Sequence, residues 1–109
     1  MRIITFPILF TCAMASLSAQ AANPSFDCTN TTHEAEQMIC KDAELAKLDR
    51  RLATLYSSVL KQTSEQDRKT LKAEQRGWVK GRDDCWKDSD MRGCIADAYQ
   101  SRIRQLKDD

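Results

Sequence analysis

Between Ala43 and Val59 the apolar positions Leu45, Leu48, Leu52, Leu55 and Val59 recur at steps of three and four, the spacing of one helical face. Neither Gly nor Pro interrupts the chain from Lys41 to Arg76. The polar run Lys61 to Asp67 divides that stretch, and Ser64 is placed to cap a second helix. In that helix Leu71, Gln75, Trp78, Arg82 and Cys85 share a face by the same steps. Ile95, Tyr99, Ile103 and Leu106 predict a C-terminal helix that starts near Met91 or Gly93. Upstream, Thr31 and Glu34 fit a capping box, so a short helix is expected from Thr32 to about Cys40, with Met38 and Ile39 inward. Asp42 is the next N-cap, with Glu44 favoured in the first turn by the helix dipole. No strand-like alternation of useful length occurs. The pattern predicts an all-α fold: a small helical bundle built on a long antiparallel helix hairpin, with a short helix before it and a C-terminal helix after it. Its core anchors are Leu48, Leu52, Tyr56, Gln75, Trp78 and Tyr99.

The start of the chain reads differently. Arg2, the apolar run Ile3 to Leu17 and the small-x-small site Ala19-Gln20-Ala21 predict a signal peptide over residues 1–21. Cleavage before Ala22 leaves a single domain over residues 22–109. Leu9-Phe10-Thr11 is a poor lead-in for acylation at Cys12, since lipobox signals favour small residues there. Export makes the four remaining cysteines, Cys28, Cys40, Cys85 and Cys94, read as two disulfides. A core this small supplies only a few kcal/mol net, so the cross-links matter for stability.

Folding the hairpin about Ser64-Glu65 brings Asp49 within about a turn of Arg82, which predicts a structural ion pair between them. Tyr56 or a backbone carbonyl is left to satisfy Gln75. The same fold carries Cys85 toward the start of the long helix, favouring Cys40–Cys85 and therefore Cys28–Cys94. Such a bridge closes a loop of about 45 residues and contributes roughly 4 kcal/mol on the loop-entropy model. Local Cys85–Cys94 pairing is the competing connectivity.

Little in the sequence serves catalysis. His33 is the single histidine, no nucleophile–base set, phosphate-cradling loop or zinc motif occurs, and Asp83-Asp84 diverge by about 100° on a helix. The reading is of a protein that is not an enzyme and uses no cofactor or metal. Charge says more. One of the seventeen bases, Arg2, lies in the leader, so sixteen bases face sixteen acids in the rest. They are segregated. Asp27 to Asp49 and Asp83 to Asp97 are acidic, and Arg50 to Arg82 is basic. In the hairpin both acidic blocks meet at the cysteine end, forming a pole able to steer a cationic partner. The neutral total and the exported location disfavour nucleic acid.

The ordered set Phe26-Asp27-Cys28, Glu36 through Ile39-Cys40, Asp42 with Glu44-Leu45-Ala46, and Leu48-Asp49 with Leu52 and Tyr56 resembles the LprI-type lysozyme-inhibitor family. It continues as Gln75-Arg76-Gly77-Trp78, Arg82-Asp83-x-Cys85, Cys94, Tyr99, Arg102-Ile103 and Leu106. Ala43 stands where that family often has a helix-starting proline. The resemblance implies a four-cysteine helical domain of the bacterial periplasm or cell surface that inhibits lysozyme or another peptidoglycan hydrolase. With a basic enzyme as partner, Asp27, Glu34, Asp83, Asp84, Asp88 and Asp90 are the expected contact residues. Lys87 or Arg92 would then reach toward catalytic carboxylates. The alternative is a periplasmic scaffold or accessory subunit that binds an envelope protein or peptidoglycan without inhibiting lysozyme.

Overall fold

The computed structural model describes residues 23–108; the expected leader, its cleavage site and Cys12 lie outside the described residues. Every regular element described is helical. Two 3-10 turns, Cys28–Asn30 and Asp84–Lys87, accompany four α-helices: α1 (Glu34–Lys41), α2 (Ala43–Gln62), α3 (Glu65–Asp83) and α4 (Met91–Lys107).

Caps explain most of these boundaries. Asp42 accepts from the amides of Glu44 and Leu45 at 3.0 and 3.1 Å, so the chain breaks after Lys41 and restarts as α2. Ser64 caps α3 through the Asp67 amide, as its place in the sequence predicts. Arg68 locks the turn between them by donating to the carbonyls of Leu60 and Thr63. Asp90 caps α4 by accepting from the Gly93 amide at 2.9 Å. A Cβ at position 93 would overlap that carboxylate, so glycine there permits the cap. The Thr31–Glu34 capping box does not form. Thr31 instead donates its hydroxyl hydrogen bond to the Cys28 carbonyl, and α1 starts after His33 without a side-chain cap.

The helices form an up-down-up bundle in which α4 is the common packing partner. Its start lies beside the start of α2, where Arg92 meets Asp42 and Glu44. It runs antiparallel to α3, where Trp78 Nε1 donates to the Ala98 carbonyl and Gln75 meets Arg102. The predicted stripe Ile95, Tyr99, Ile103 and Leu106 is buried. Ala35 and Ile39 of α1, Leu45 and Leu52 of α2, Leu71 of α3 and Cys85 complete one core with it. Of the expected anchors Leu52 and Tyr99 are buried, while Leu48, Tyr56, Gln75 and Trp78 are half-buried. The hairpin is present but splayed. Because α4 packs on both long helices, close approaches between α2 and α3 are sparse.

The disulfides require a correction. Cys28 joins Cys40 and Cys85 joins Cys94, with Cα separations of 5.9 and 5.6 Å. The expected Cys40–Cys85 and Cys28–Cys94 pairs are not formed. Cys40 and Cys85 do share a neighbourhood, since α1 packs against the second 3-10 turn. Two local reversals decide the pairing instead. The first 3-10 turn, capped by Asp27, folds the lead-in back onto α1. The second, followed by a turn at Asp88 to Asp90, returns the start of α4 to Cys85. Two short loops replace two long ones, each contributing about 3 kcal/mol on the same loop-entropy model.

Peptide mapping without reductant should recover a Cys28–Cys40 peptide and a Cys85–Cys94 peptide; a Cys40–Cys85 peptide would contradict the fold. Gly77 and Gly81 lie on the exposed side of α3, and a Cβ at either meets nothing within 4 Å. Gly77→Ala and Gly81→Ala should therefore each raise stability in denaturant unfolding by about 0.5–1 kcal/mol. A loss of stability would show that α3 needs those glycines for a close approach.

Candidate functional site

α2, α3 and α4 meet at the Tyr99 hydroxyl. It donates to Asp49 Oδ1 at 2.7 Å and accepts from Arg82 Nη1 at 3.0 Å. The second Asp49 oxygen accepts from the Ser25 amide, which ties the lead-in to α2. Arg82 also donates to Asp83 from Nε and Nη2, and its Nη2 reaches Glu36 at 3.5 Å. Its guanidinium stands 5.6 Å from the ring centroids of both Phe26 and Trp78, within cation–π range. The expected direct Asp49–Arg82 ion pair is thus replaced by a relay through Tyr99. The reason is the splayed hairpin: α4 puts a phenol where the two long helices were expected to touch. Asp49 and Arg82 are each 5 % exposed; the hydroxyl gives Asp49 its side-chain donor and Arg82 a further acceptor beside Asp83 and Glu36.

Tyr99 itself is fully buried, and burial, reinforced by the Asp49 carboxylate, pushes its phenol well above the usual range despite the opposing Arg82 charge. It stays protonated and remains a donor to Asp49. One helical turn along, Arg102 donates to Gln75 at 3.0 Å and to Gln105 at 3.2 Å, so Gln75 is satisfied by α4 rather than by Tyr56. Arg102 Nη2 is buried and has no partner among the described residues.

On the side away from α4, the gap between α2 and α3 is an open groove of about 360 Å³. Phe26, Leu52, Tyr56, Trp78 and Val79 form its apolar walls, and Asp49 with Arg82 forms its polar base. Glu36 lies at the same place, so the groove opens toward acidic surface.

That surface is the disulfide end. Asp27, Glu34, Asp83, Asp84, Asp88 and Asp90 lie on the lead-in, α1, the second 3-10 turn and its flanks, elements that pack together. Most of these carboxylates also shape the backbone. Asp27 accepts from the Thr29 hydroxyl and amide, which hold its carboxyl below the usual range. Asp83 pairs with Arg82 at 2.8 Å, Asp88 accepts from the Asp90 amide, and Asp90 caps α4. Asp84 faces Lys87 at 3.5 Å with both side chains largely exposed, and Glu34 is exposed on α1. Beside them Arg92 clamps Asp42 at 2.6 Å and Glu44 at 2.7 Å. Its hydrogen bond holds the Asp42 carboxyl below the usual range, with help from the Leu45 and Glu44 amides against the cost of burial. Arg92 is therefore committed within the fold. Among the described residues no cluster of three or more His, Cys, Asp or Glu is arranged to hold a metal.

Residues 28–106, from the first described cysteine to the last core leucine of α4, match the family described as Lysozyme inhibitor LprI. The chain belongs to the LprI lysozyme-inhibitor family. It is also 36% identical over 107 residues to proteins named Lipoprotein LprI from Mycobacterium bovis and Mycobacterium tuberculosis. The match takes in 95% of this chain but 53% of those relatives, so the chain spans about half their length. No solved structure matches. No described helix of this LprI chain is long and apolar enough to cross a membrane.

The residues that sequence reasoning missed are the bridging ones. The sequence pattern presents Tyr99 as part of an apolar stripe, Ser25 as lead-in and Arg92 as a free cation, whereas each bonds across elements. Only a buried phenol at a position flanked by an Asp and an Arg from other helices signalled the first, and that needs the right three-helix register.

Two pH effects follow for this LprI domain. The unfolded chain ionises Tyr99 near pH 10, whereas the folded chain keeps it protonated, so Tyr99 favours the fold below that value and loses this contribution as pH rises. Above pH 10 its share of stability should fall by about 1.4 kcal/mol per pH unit. Tyr99→Phe should remove that component of the slope while lowering stability at neutral pH by about 1–3 kcal/mol, because Asp49 loses its donor. At the acid end Asp42, depressed in the fold, stabilises above its unfolded value and loses this contribution as pH falls below about 4. Arg92→Gln should flatten that loss. Urea titrations across pH check both, and slopes unchanged by the substitutions would contradict the assignments.

Proposed function

We propose that this protein is an exported lysozyme inhibitor that engages a cationic lysozyme through its acidic, disulfide-stapled end. The reading is supported by one observation above the others: carboxylates separated by up to about sixty positions in sequence share one end of the bundle. Family membership supplies the enzyme class, and the charge supplies the surface. A positively charged enzyme approaches such a pole faster and in a preferred orientation. Glu34 and Asp84 are exposed and hold no cap, so they are the carboxylates best placed to give their charge to a partner. The adjoining groove, with Phe26, Tyr56 and Trp78 in its walls, accepts an inserted side chain once the enzyme is held. Asp83, Asp88 and Asp90 support this surface more than they contact the partner. The protein acts by occupying a surface, without turnover, in the periplasm or outside the cell.

The test is lysis of cell-wall suspensions by a basic lysozyme, followed by turbidity, with the oxidised protein in excess. Inhibition is expected. Glu34→Gln combined with Asp84→Asn should weaken it several-fold at low salt and reduce its salt dependence, with the fold unchanged by circular dichroism. No inhibition at micromolar excess would favour the scaffold reading. Inhibition indifferent to both substitutions would overturn the surface assignment alone.

A further inference from the structure

A second charged feature lies away from the acidic end, in a groove of about 660 Å³ between α2 and α4. Leu55 and Ile103 floor it, and Lys47, Arg50, Arg51 and Lys107 rim it. No carboxylate lines it. The ion pairs among the described residues involve Arg82, Lys87 and Arg92, so none of these four bases is matched to an acid. Lys47 sits three and four positions before Arg50 and Arg51 on one helix, a spacing at which like charges destabilise the helix that carries them. Such an arrangement is relieved when an anion covers it.

We propose that this groove is a docking face for an anionic lipid bilayer. Two observations favour a bilayer over a small soluble anion or a second protein. The four cationic heads stand on long aliphatic stems around an apolar floor, so they can reach headgroups while the stems and Leu55 meet the interface. No carboxylate lines the groove, so the contact itself presents only bases and apolar surface to a negative membrane. The inference does not depend on lysozyme inhibition. It adds an orientation, with the basic face on the membrane and the acidic end free.

The test is flotation of the oxidised protein with vesicles of phosphatidylcholine alone or phosphatidylcholine with phosphatidylglycerol. Binding only to the second, reversed by salt, is expected. Each base near a headgroup surface changes the partition constant about fivefold. Lys47→Gln, Arg51→Gln and Lys107→Gln together should therefore lower it on the order of 100-fold. A control that removes three exposed bases of α3, Lys69→Gln, Lys72→Gln and Arg76→Gln, should retain most of the binding, with both variants folded by circular dichroism. Equal loss in the control would overturn the assignment to this groove, and no flotation with anionic vesicles would overturn the proposal. Competition by inorganic phosphate at millimolar concentration would point to a soluble anion instead. Self-association of the wild type in sedimentation velocity, abolished by the groove variant, would point to the acidic end of a second copy; either result contradicts the bilayer.

Discussion

One buried hydroxyl holds this bundle in register. Tyr99 gives Asp49 of α2 a donor and Arg82 of α3 an acceptor, while its ring meets Trp78 edge-on at 4.9 Å between centroids. Neither charged residue can be buried at low cost alone, and the Tyr99 hydroxyl answers both because it donates and accepts at once. A slip of α2 against α4 would take from Asp49 its side-chain donor, and a slip of α3 would break the bond from Arg82 to the hydroxyl. The arrangement therefore specifies register more than it adds net stability. Ser25 and Phe26 extend the same network to the lead-in, so the segment carrying Cys28 is placed by the chemistry that aligns the helices.

From that register the charged end follows. With α2 and α4 starting side by side and α3 ending between them, the two acidic stretches of sequence are delivered to one place. The two disulfides then fix the local reversals that a small core could not hold. Caps and turns use most of the carboxylates there, which fixes them in direction. A surface built in this way is preorganised: its charges are already oriented when a cationic partner arrives.

Much of this was legible in the chain. Helical spacing identified the all-α class, the four helices and their buried stripes, and the caps at Asp42 and Ser64 marked two boundaries. The splayed hairpin and the cysteine pairing were not legible, for a common reason. Periodicity shows which face of a helix is inward but not which helix it faces. Simple hairpin geometry matches Arg82 to Asp49 of α2 and offers Tyr56 or a backbone carbonyl to Gln75, whereas both residues bond to α4. That register moved Cys85 toward Cys40, although the first 3-10 turn lies in a short segment rich in Thr and Asn and the second in one rich in Asp. Thr31 illustrates the limit of motif reading, since its hydroxyl went to the turn instead of the helix.

A double-mutant cycle on Asp49→Ala and Tyr99→Phe, read by equilibrium unfolding with both disulfides intact, addresses the central contact without reference to any partner. The structure predicts a coupling free energy of about 1–2 kcal/mol, as for a buried hydrogen bond to a charged group. Additive effects, with coupling near zero, would mean that Tyr99 merely packs and that the register is set elsewhere.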